Sequence, residues 1–310
     1  MKNQNTMQTE NKIDCYIINL DISVKRWETI KQCEEFKNVN TIRVSAVNGA
    51  EIRFPHPDFS AWKYFLFYGR KPTIGEIGCY FSHVRAMRIF LESQKTHCIV
   101  CEDDFEPVPN FTDVIGQALK YAETWDILRL YNTRHFPLPY ADLGGGYKLA
   151  TPLRPGSATL GYMINRTAAK KFLSRCFPMW KPVDDILFSD VPFLKEAVIY
   201  PFIGKINNSS KQSEIEKINT SSTICPSCFE IPEADYASVA SRSGCSRAKP
   251  TAHTGFGITR KNMKYSLLHP AALRFSTVIP WRLYSCAVRY IYNFTTAILR
   301  RILYRNQHRP

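Results

Sequence analysis

Strand-like and helix-like segments alternate along the first two thirds of this 310-residue chain, and this alternation narrows the possible folds more than any other property. Apolar, β-branched runs at 15–20 and 41–47 flank a polar helical stretch at 23–37, which predicts a strand–helix–strand unit with parallel strands. Further strand-like runs lie at 97–101, 126–131, 158–164 and 198–203. The pattern predicts an α/β fold in which helices cover both faces of a mostly parallel central sheet.

The best-defined helix is predicted over 74–93. Thr73 and Glu76 have the spacing of a capping box, in which each side chain binds the other residue's backbone N–H. Apolar residues then recur with helical periodicity at Ile77, Tyr80, Val84, Met87 and Leu91. This helix leads directly into the strand at 97–101.

Three adjacent carboxylates, Glu102, Asp103 and Asp104, follow the strand at 97–101. Ligands of open α/β sheets lie beyond the carboxyl ends of the strands, where these side chains are expected. Because like charges repel, some of them need a cation, and oxygen ligands suit Mg²⁺ or Mn²⁺. A solvated acidic turn, in which Asp104 or Glu106 caps the next segment, is equally open on spacing alone.

The net charge of +14 is concentrated near the end of the sequence. Residues 236–310 contain 13 Lys and Arg and no Asp or Glu, which leaves 28 basic and 27 acidic residues in 1–235. A near-neutral body argues against a nucleic-acid footprint across it, so no nucleic-acid partner is expected. A nucleic-acid-binding protein that acts through its basic tail is the alternative from a different class.

Composition divides the chain into a disordered N-terminus at 1–12, a folded body at 13–206, a polar loop or linker at 207–264 and a basic aromatic tail at 265–310. A helix drawn over 281–305 has a wide apolar face with Trp and Tyr and a stripe of Arg, which is typical of a helix lying in a membrane interface. Packing of this helix on the body stays open as the alternative.

The N-terminus has no apolar segment of a secretory signal, and no run of eighteen apolar residues predicts a membrane span. We therefore expect a cytoplasmic protein that associates peripherally with the inner face of the cytoplasmic membrane through 265–310. The ten cysteines are then expected to be reduced thiols. Four side chains, Cys225, Cys228, Cys245 and His253, could bind zinc, but their spacing fits no known finger, so unpaired thiols stay open.

Seven motifs follow one another in order over about residues 13–215. They are YIINLDISVKRWE at 16–28, SAVNG at 45–49, GEIGCYFSHVRAM at 75–87, CIVCEDDF at 98–105, LGYMINRTAAKKFL at 160–173, PVDDIL at 182–187 and SEI at 213–215. This series resembles the lipooligosaccharide glycosyltransferases of family 25.

The resemblance implies a GT-A-like, Rossmann-related catalytic domain at 13–206, a nucleotide-sugar donor and transfer with inversion. The usual reaction of the family is galactose transfer from UDP-galactose to a lipid-linked oligosaccharide, the lipopolysaccharide core. A related transferase with another UDP-sugar, or with a capsule or protein acceptor, is the alternative within this class.

The resemblance also implies roles for single residues. The acidic motif falls on Glu102, Asp103 and Asp104. Glu102 and Asp104 are the implied ligands of a divalent cation, Mn²⁺ or Mg²⁺, that bridges the donor diphosphate, and Asp103 is an implied donor-binding residue. The other implied donor-binding residues are Asn19, Asp21, Arg26, Asn48, Gly49, Glu76 and His83. Family members often have Asp in place of Asn48, which weakens the assignment of that side chain. Arg26 as a solvated helix residue, and Glu76 with His83 as a packing or surface pair, stay open.

Asp184 and Asp185 follow a proline-bounded turn in the PVDD motif. Inverting transfer needs a carboxylate that takes the proton of the acceptor hydroxyl as its oxygen attacks the anomeric carbon. Asp184, which matches the family's Pro-Val-Asp, is the first candidate for this base or for acceptor binding, and Asp185 is the second. A structural turn or helix cap is the alternative.

Overall fold

The computed structural model describes residues 12–68, 72–133, 137–153, 157–190 and 194–207. The predicted linker beyond residue 207, the predicted tail at 265–310 and the possible zinc ligands Cys225, Cys228, Cys245 and His253 lie outside the described residues. So does the predicted disordered N-terminus, apart from Lys12.

An eight-stranded sheet forms the centre of the part that the structure describes. Its strands in spatial order are β2 (Asn40–Ser45), β1 (Asp14–Asn19), β3 (His97–Glu102), β8 (Gly161–Asn165), β5 (Ile127–Arg129), β9 (Glu196–Tyr200), β7 (Tyr147–Pro152) and β6 (Pro137–Gly144). A second, two-stranded antiparallel sheet pairs β4 (Phe105–Pro107) with β10 (Gly204–Ile206).

The described helices lie between these strands in the sequence. They are α1 (Val24–Gln32), α2 (Ala61–Tyr68), α3 (Ile74–Glu92), α4 (Phe111–Leu119), α5 (Arg166–Leu173) and the short α6 (Val183–Asp185). The capping box predicted for α3 is present, since Thr73 accepts a hydrogen bond from the backbone N–H of Glu76 and the Glu76 carboxylate accepts one from that of Thr73.

The central sheet is mixed. The predicted strand–helix–strand unit is confirmed, because β1 pairs in parallel with both β2 and β3. The other half departs from a mostly parallel sheet, since β8 runs antiparallel between β3 and β5, and β7 pairs antiparallel with β6 and β9. Only the β5–β9 pair in that half is parallel among the described strands. A sequence pattern predicts that a strand is buried, but it does not give the direction of that strand.

Apolar cores cover both faces of the sheet, as the sequence predicts. On β1, Tyr16 and Ile18 pack into one core with α3 and α5, while Cys15 and Ile17 pack into the other with α4. The strand is buried along its whole length because successive side chains point to opposite faces. None of the described helices is both long and apolar enough to cross a membrane.

A fully buried ion pair joins β5 to β9. Arg129 Nε lies 2.6 Å from Glu196 Oε1, and the guanidinium carbon lies 3.5 Å from the centre of the Phe188 ring. Phe188 comes three residues after Asp185, and its ring packs against Tyr162 on β8. The ion pair therefore supports the segment that bears the predicted catalytic carboxylates.

We expect Arg129→Met to lower the free energy of unfolding by about 3–5 kcal/mol, because Glu196 would keep a buried charge without its cation. Urea unfolding of the wild type and the variant measures the difference. The double variant Arg129→Met/Glu196→Leu is the control, and it should recover much of the loss. A double variant as unstable as the single one would contradict this explanation.

Candidate functional site

A cavity lies where β1, β2 and β3 end. Because these strands are parallel, their carboxyl ends meet at one edge of the sheet. The segments after the three strands line the cavity together with the first three turns of α3; the predicted site residues among its lining are Arg26, Asn48, Gly49, His83, Glu102 and Asp103. This edge is where open α/β sheets bind their ligands.

Two glycines let the loop after β2 touch α3. A Cβ at Gly49 would collide with the carbonyl oxygen of Ile74, and a Cβ at Gly78 would lie 2.6 Å from the carbonyl oxygen of Val47. Ser82 adds a side-chain contact, since its hydroxyl oxygen accepts a hydrogen bond of 2.8 Å from the Val47 N–H. The backbone of the loop after β2 and the backbone of α3 are therefore in direct contact beside the cavity.

Gly49→Ala is expected to be destabilised by several kcal/mol and to bind nucleotide poorly, because the added methyl group can be accommodated only if the loop and α3 move apart. Thermal unfolding and nucleotide titration test both effects. Gly116→Ala is the matched control: in the middle of α4, no described atom beyond the adjacent helix backbone lies within 4 Å of the added Cβ, so this variant should gain roughly 1 kcal/mol. Equal stability of the two variants would contradict the close contact.

Asp103 faces basic and amide groups. Its Oδ1 lies 2.7 Å from Nη1 of Arg26, and its Oδ2 accepts a hydrogen bond of 2.7 Å from Asn19. Arg43 in turn donates to the Asn19 side-chain oxygen at 2.9 Å. Asp21 is exposed at the edge of this group, where its carboxylate accepts a hydrogen bond of 2.6 Å from Ser45 and lies 3.6 Å from Nη2 of Arg43. Of the predicted donor-binding residues, Asp103, Arg26 and Asn19 thus form one hydrogen-bonded network, and Asp21 adjoins it through Arg43.

Glu102 lies at the end of β3 and contacts α3. Its Oε1 accepts a hydrogen bond of 2.6 Å from Thr159 and lies 3.4 Å from His83 Nε2 and 3.9 Å from Cys79 Sγ. Burial favours a higher pKa for this carboxyl, but hydrogen bonding and the charge of His83, with help from Thr159, hold the pKa below its ordinary value. The carboxylate is therefore the form that is present near neutral pH.

His83 is fully buried between Glu102 and the sheet. Its Nδ1 lies 2.9 Å from the hydroxyl of Tyr162 on β8, and the two rings are stacked at 5.7 Å. His83 therefore contacts the carboxylate with one ring nitrogen and is held in orientation through the other. Thr159 and Tyr162 were not identified from the sequence as partners of Glu102 and His83, because 57 and 79 residues separate the members of these pairs. Cys79 lies only four residues before His83 on α3, but its position beside Glu102 depends on how α3 packs against the end of β3.

Asp104 differs from the two carboxylates before it. Its Oδ1 is buried and has no hydrogen-bond partner among the described residues. Burial, followed by the charges of Glu102 and Asp103, raises the pKa of Asp104 from its ordinary value to about 7, although Arg26 opposes the shift. A buried carboxylate oxygen without a partner fits a bound cation.

A second cavity, of about 630 Å³, adjoins the first one. Gly75, Cys79 and Glu102 line both cavities. The predicted site residues that line the second cavity are Glu76, Glu102, Asp104, Asp184 and Asp185. The structure therefore brings the predicted metal ligands and the predicted catalytic carboxylates to one space.

Backbone N–H groups hold the carboxylate of Asp184. Its Oδ2 accepts a hydrogen bond of 3.2 Å from Ala158, and its Oδ1 accepts one of 3.0 Å from Asp185. Ala158 has a φ of +84°, a conformation that L-residues rarely adopt. A hydrogen bond to Asp184, the predicted catalytic carboxylate, thus links the loop before β8, which contains this strained residue, to α6.

Two predicted donor-binding side chains already have local structural partners. Glu76 caps α3 and accepts a hydrogen bond of 3.1 Å from the hydroxyl of Tyr64. Asn48 accepts a hydrogen bond of 3.1 Å from the backbone of Ala50 and donates one of 3.0 Å to Glu51. The cap and the turn account for these contacts, and both residues still line a cavity.

A mixed α/β sheet with a cavity at the carboxyl ends of its first strands is compatible with a Rossmann-like fold, in which ligands bind at that edge of the sheet. The model of glycosyltransferase family 25, described as LPS biosynthesis protein, matches residues 12–187, which is more than half of the chain. The chain therefore belongs to this family and is a glycosyltransferase.

Among solved structures, the chain is similar to A197 from STIV, known from a crystal structure. The sequence identity is 13% and the TM-score is 0.32, over 60% of this chain and 81% of that chain. No curated protein sequence is a significant match to the chain.

Proposed function

We propose that this glycosyltransferase is an inverting, metal-dependent enzyme with a GT-A-like catalytic domain at 13–206. In this proposal it moves a hexose, galactose from UDP-galactose, to a lipopolysaccharide core acceptor. The observation that carries the proposal is the wall of Gly75, Cys79 and Glu102 that the two cavities share. A donor in the first cavity and an acceptor in the second would meet at this wall.

The first cavity suits the nucleotide part of the donor. Arg26 lines it and is held by Asp103, so a planar cationic side chain is already fixed where a diphosphate would lie. Asn48 and Gly49, in the loop after β2, line the same cavity. These contacts support the donor-binding roles proposed for Arg26, Asp103, Asn48 and Gly49.

Glu102 and Asp104 are the residues that would hold a divalent cation. When bound, Mn²⁺ or Mg²⁺ supplies a Lewis acid that stabilises the negative charge of the departing diphosphate. The buried Oδ1 of Asp104, which has no hydrogen-bond partner among the described residues, and the charge on Glu102 support this assignment. Arg26 and Asp103, in this proposal, orient the diphosphate beside these two carboxylates.

Asp184 and Asp185 supply the carboxylates of the second cavity. In an inverting transfer the acceptor hydroxyl attacks the face of the sugar opposite the leaving group, and a base removes its proton. Asp184 is our first candidate for this base, because two backbone N–H groups fix its carboxylate. Asp185 is the candidate for binding an acceptor hydroxyl.

A donor-by-acceptor screen tests the proposal. The purified enzyme is incubated with UDP-galactose, UDP-glucose and UDP-N-acetylhexosamines against lipopolysaccharide core, capsule and protein acceptors, and product linkage is determined. We expect a β-linked galactose on core oligosaccharide from the α-linked donor. An α-linked product would contradict inversion, and turnover with another donor or acceptor would replace the specificity proposed.

We also propose that residues 265–310 hold the enzyme at the inner face of the cytoplasmic membrane, beyond a linker at 207–264. The basic excess of residues 236–310 supports this, since each basic residue near anionic lipid adds about 1 kcal/mol. A chain that ends at Lys264 should lose sedimentation with anionic vesicles and keep turnover on a soluble acceptor. Membrane fractionation of the shortened chain would contradict this role, and tight, salt-sensitive nucleic-acid binding by 236–310 would indicate a different partner.

A further inference from the structure

The wall between the two cavities carries a group of donor atoms other than the oxygens of Asp104. Cys79 Sγ, His83 Nε2 and a carboxylate oxygen of Glu102 all lie within 4.8 Å of one another. Cys79 and His83 are four residues apart on α3, so they lie on one side of the helix, and Glu102 faces them from the end of β3.

The spacing of these atoms matches a tetrahedral metal site. Zinc bonds of the usual lengths place neighbouring nitrogen and oxygen ligands roughly 3.4 Å apart, and sulfur and oxygen ligands roughly 3.6 Å apart. The corresponding separations are 3.4 Å between His83 and Glu102 and 3.9 Å between Cys79 and Glu102. The Cys79–Glu102 separation would therefore shorten by about 0.3 Å on metal binding, and Cys79 Sγ and His83 Nε2 lie within 4.8 Å of each other.

The surroundings of His83 also match a ligand. Histidines that bind metal through one ring nitrogen almost always donate a hydrogen bond from the other. Here Nδ1 lies 2.9 Å from the Tyr162 hydroxyl, which leaves Nε2 directed toward Glu102 and Cys79. Tyr162 is itself fully buried, so it fixes the orientation of the ring.

The set of ligands favours a borderline-soft cation. A thiolate, an imidazole and a carboxylate together suit Zn²⁺ better than Mg²⁺ or Ca²⁺, which prefer oxygen alone. Cys79 and Glu102 line both cavities, so the fourth coordination position opens toward bound ligands. We propose that Cys79, His83 and Glu102 form a three-ligand zinc site in the wall between the two cavities, which shares Glu102 with the hard cation proposed at Glu102 and Asp104.

Cobalt binding tests this site. In a full-length chain with Cys225, Cys228 and Cys245 replaced by Ser, Co²⁺ should give the near-ultraviolet band of a thiolate-to-cobalt bond, and Zn²⁺ should displace it. Cys79→Ser in this background should lose the band and weaken zinc binding by about 100-fold or more. Cys33→Ser, which replaces a half-buried thiol on another part of the fold, should leave both unchanged. A band that persists in Cys79→Ser, or is missing from the background chain, would overturn the site.

Tyr162→Phe tests the orientation of His83 without removing a ligand. It should keep the cobalt band and weaken zinc binding by about 10- to 100-fold, and unchanged affinity would contradict ligation through Nε2.

Alkylation of the wild type covers the case in which Cys79→Ser fails to fold. Zn²⁺ should slow the reaction of iodoacetamide at Cys79 and not at Cys33, as mapped by peptide mass spectrometry. Equal rates at Cys79 with and without zinc would overturn the proposal. Because none of these measurements needs a sugar donor, failure of the proposed transfer reaction would leave them interpretable.

Discussion

Asp104→Asn is expected to abolish sugar transfer and, in the absence of metal, to stabilise the fold. The loss of a cation ligand removes several kcal/mol of transition-state stabilisation, which corresponds to about 10³-fold or more in kcat. The gain in stability has a separate cause. The buried Oδ1 of Asp104 has no described partner, and the charged form lies beside Glu102 and Asp103.

The sign of the pH dependence follows from the raised pKa. With a folded-state pKa of about 7, Asp104 holds its proton more tightly in the native state than in the unfolded state. The stability that this tighter proton binding contributes is therefore fully present below the pKa of the carboxyl in the unfolded chain, near 4. It is lost as the pH rises through about 7. At pH 8 the charged group costs up to about 4 kcal/mol, which the neutral Asn avoids.

Urea unfolding in EDTA at pH 5 and pH 8 measures this difference. The advantage of Asp104→Asn should be large at pH 8 and small at pH 5, and added Mn²⁺ should stabilise the wild type alone. Glu106→Gln is the matched control, since this carboxylate is partly exposed and lies 2.8 Å from Lys205. Near-normal turnover by Asp104→Asn, or full activity of the wild type in EDTA, would contradict a metal-binding role for Asp104.

Asp184→Asn and Asp185→Asn should separate the two roles of the second cavity. If Asp184 is the base, its variant loses about 10²- to 10⁴-fold in kcat while the KM for the donor stays the same. The fold should be retained, because an amide oxygen can still accept one of the two backbone hydrogen bonds at a cost of about 1 kcal/mol. Asp185→Asn should instead raise the KM for the acceptor, since its proposed role is in binding.

Steady-state kinetics with both substrates varied, together with pH–rate profiles, distinguish these outcomes. Asp113→Asn is the control, because this carboxylate is exposed in the first turn of α4, outside the lining of both cavities. Should Asp185→Asn lose kcat and Asp184→Asn lose only acceptor affinity, the two assignments would be exchanged. Normal kinetics in both variants would exclude the pair from catalysis.

Local patterns in the sequence were sufficient for the first half of the sheet. The capping box of Thr73 and Glu76 fixes the start of α3, and the apolar run before Glu102 fixes the end of β3. These signals depend on neighbours within a few residues, so they are readable without the fold. The strand–helix–strand unit and the position of the carboxylates beyond a buried strand follow from them.

The second half of the sheet could not be predicted in the same way. β6 contains Pro137 and Pro139, which a central strand would not tolerate, and it is accommodated because it lies at the edge of the sheet. The contacts of the site are equally non-local, since Asp103 pairs with Arg26 across 77 residues and Glu102 with Thr159 across 57. No pattern in a single sequence encodes such pairs. The sequence therefore predicted residues that the structure places at the two cavities, but the different environments of Glu102, Asp103 and Asp104 required the structure.

The position of Glu102 in a wall common to both cavities bears on the order in which substrates bind. A ligand in one cavity that displaces this carboxylate also reshapes the other cavity, so the two binding free energies are thermodynamically linked. Linkage is reciprocal, and each substrate changes the affinity for the other by the same factor. In the proposed reaction, prior binding of the nucleotide sugar would therefore change the affinity for the acceptor through this shared wall.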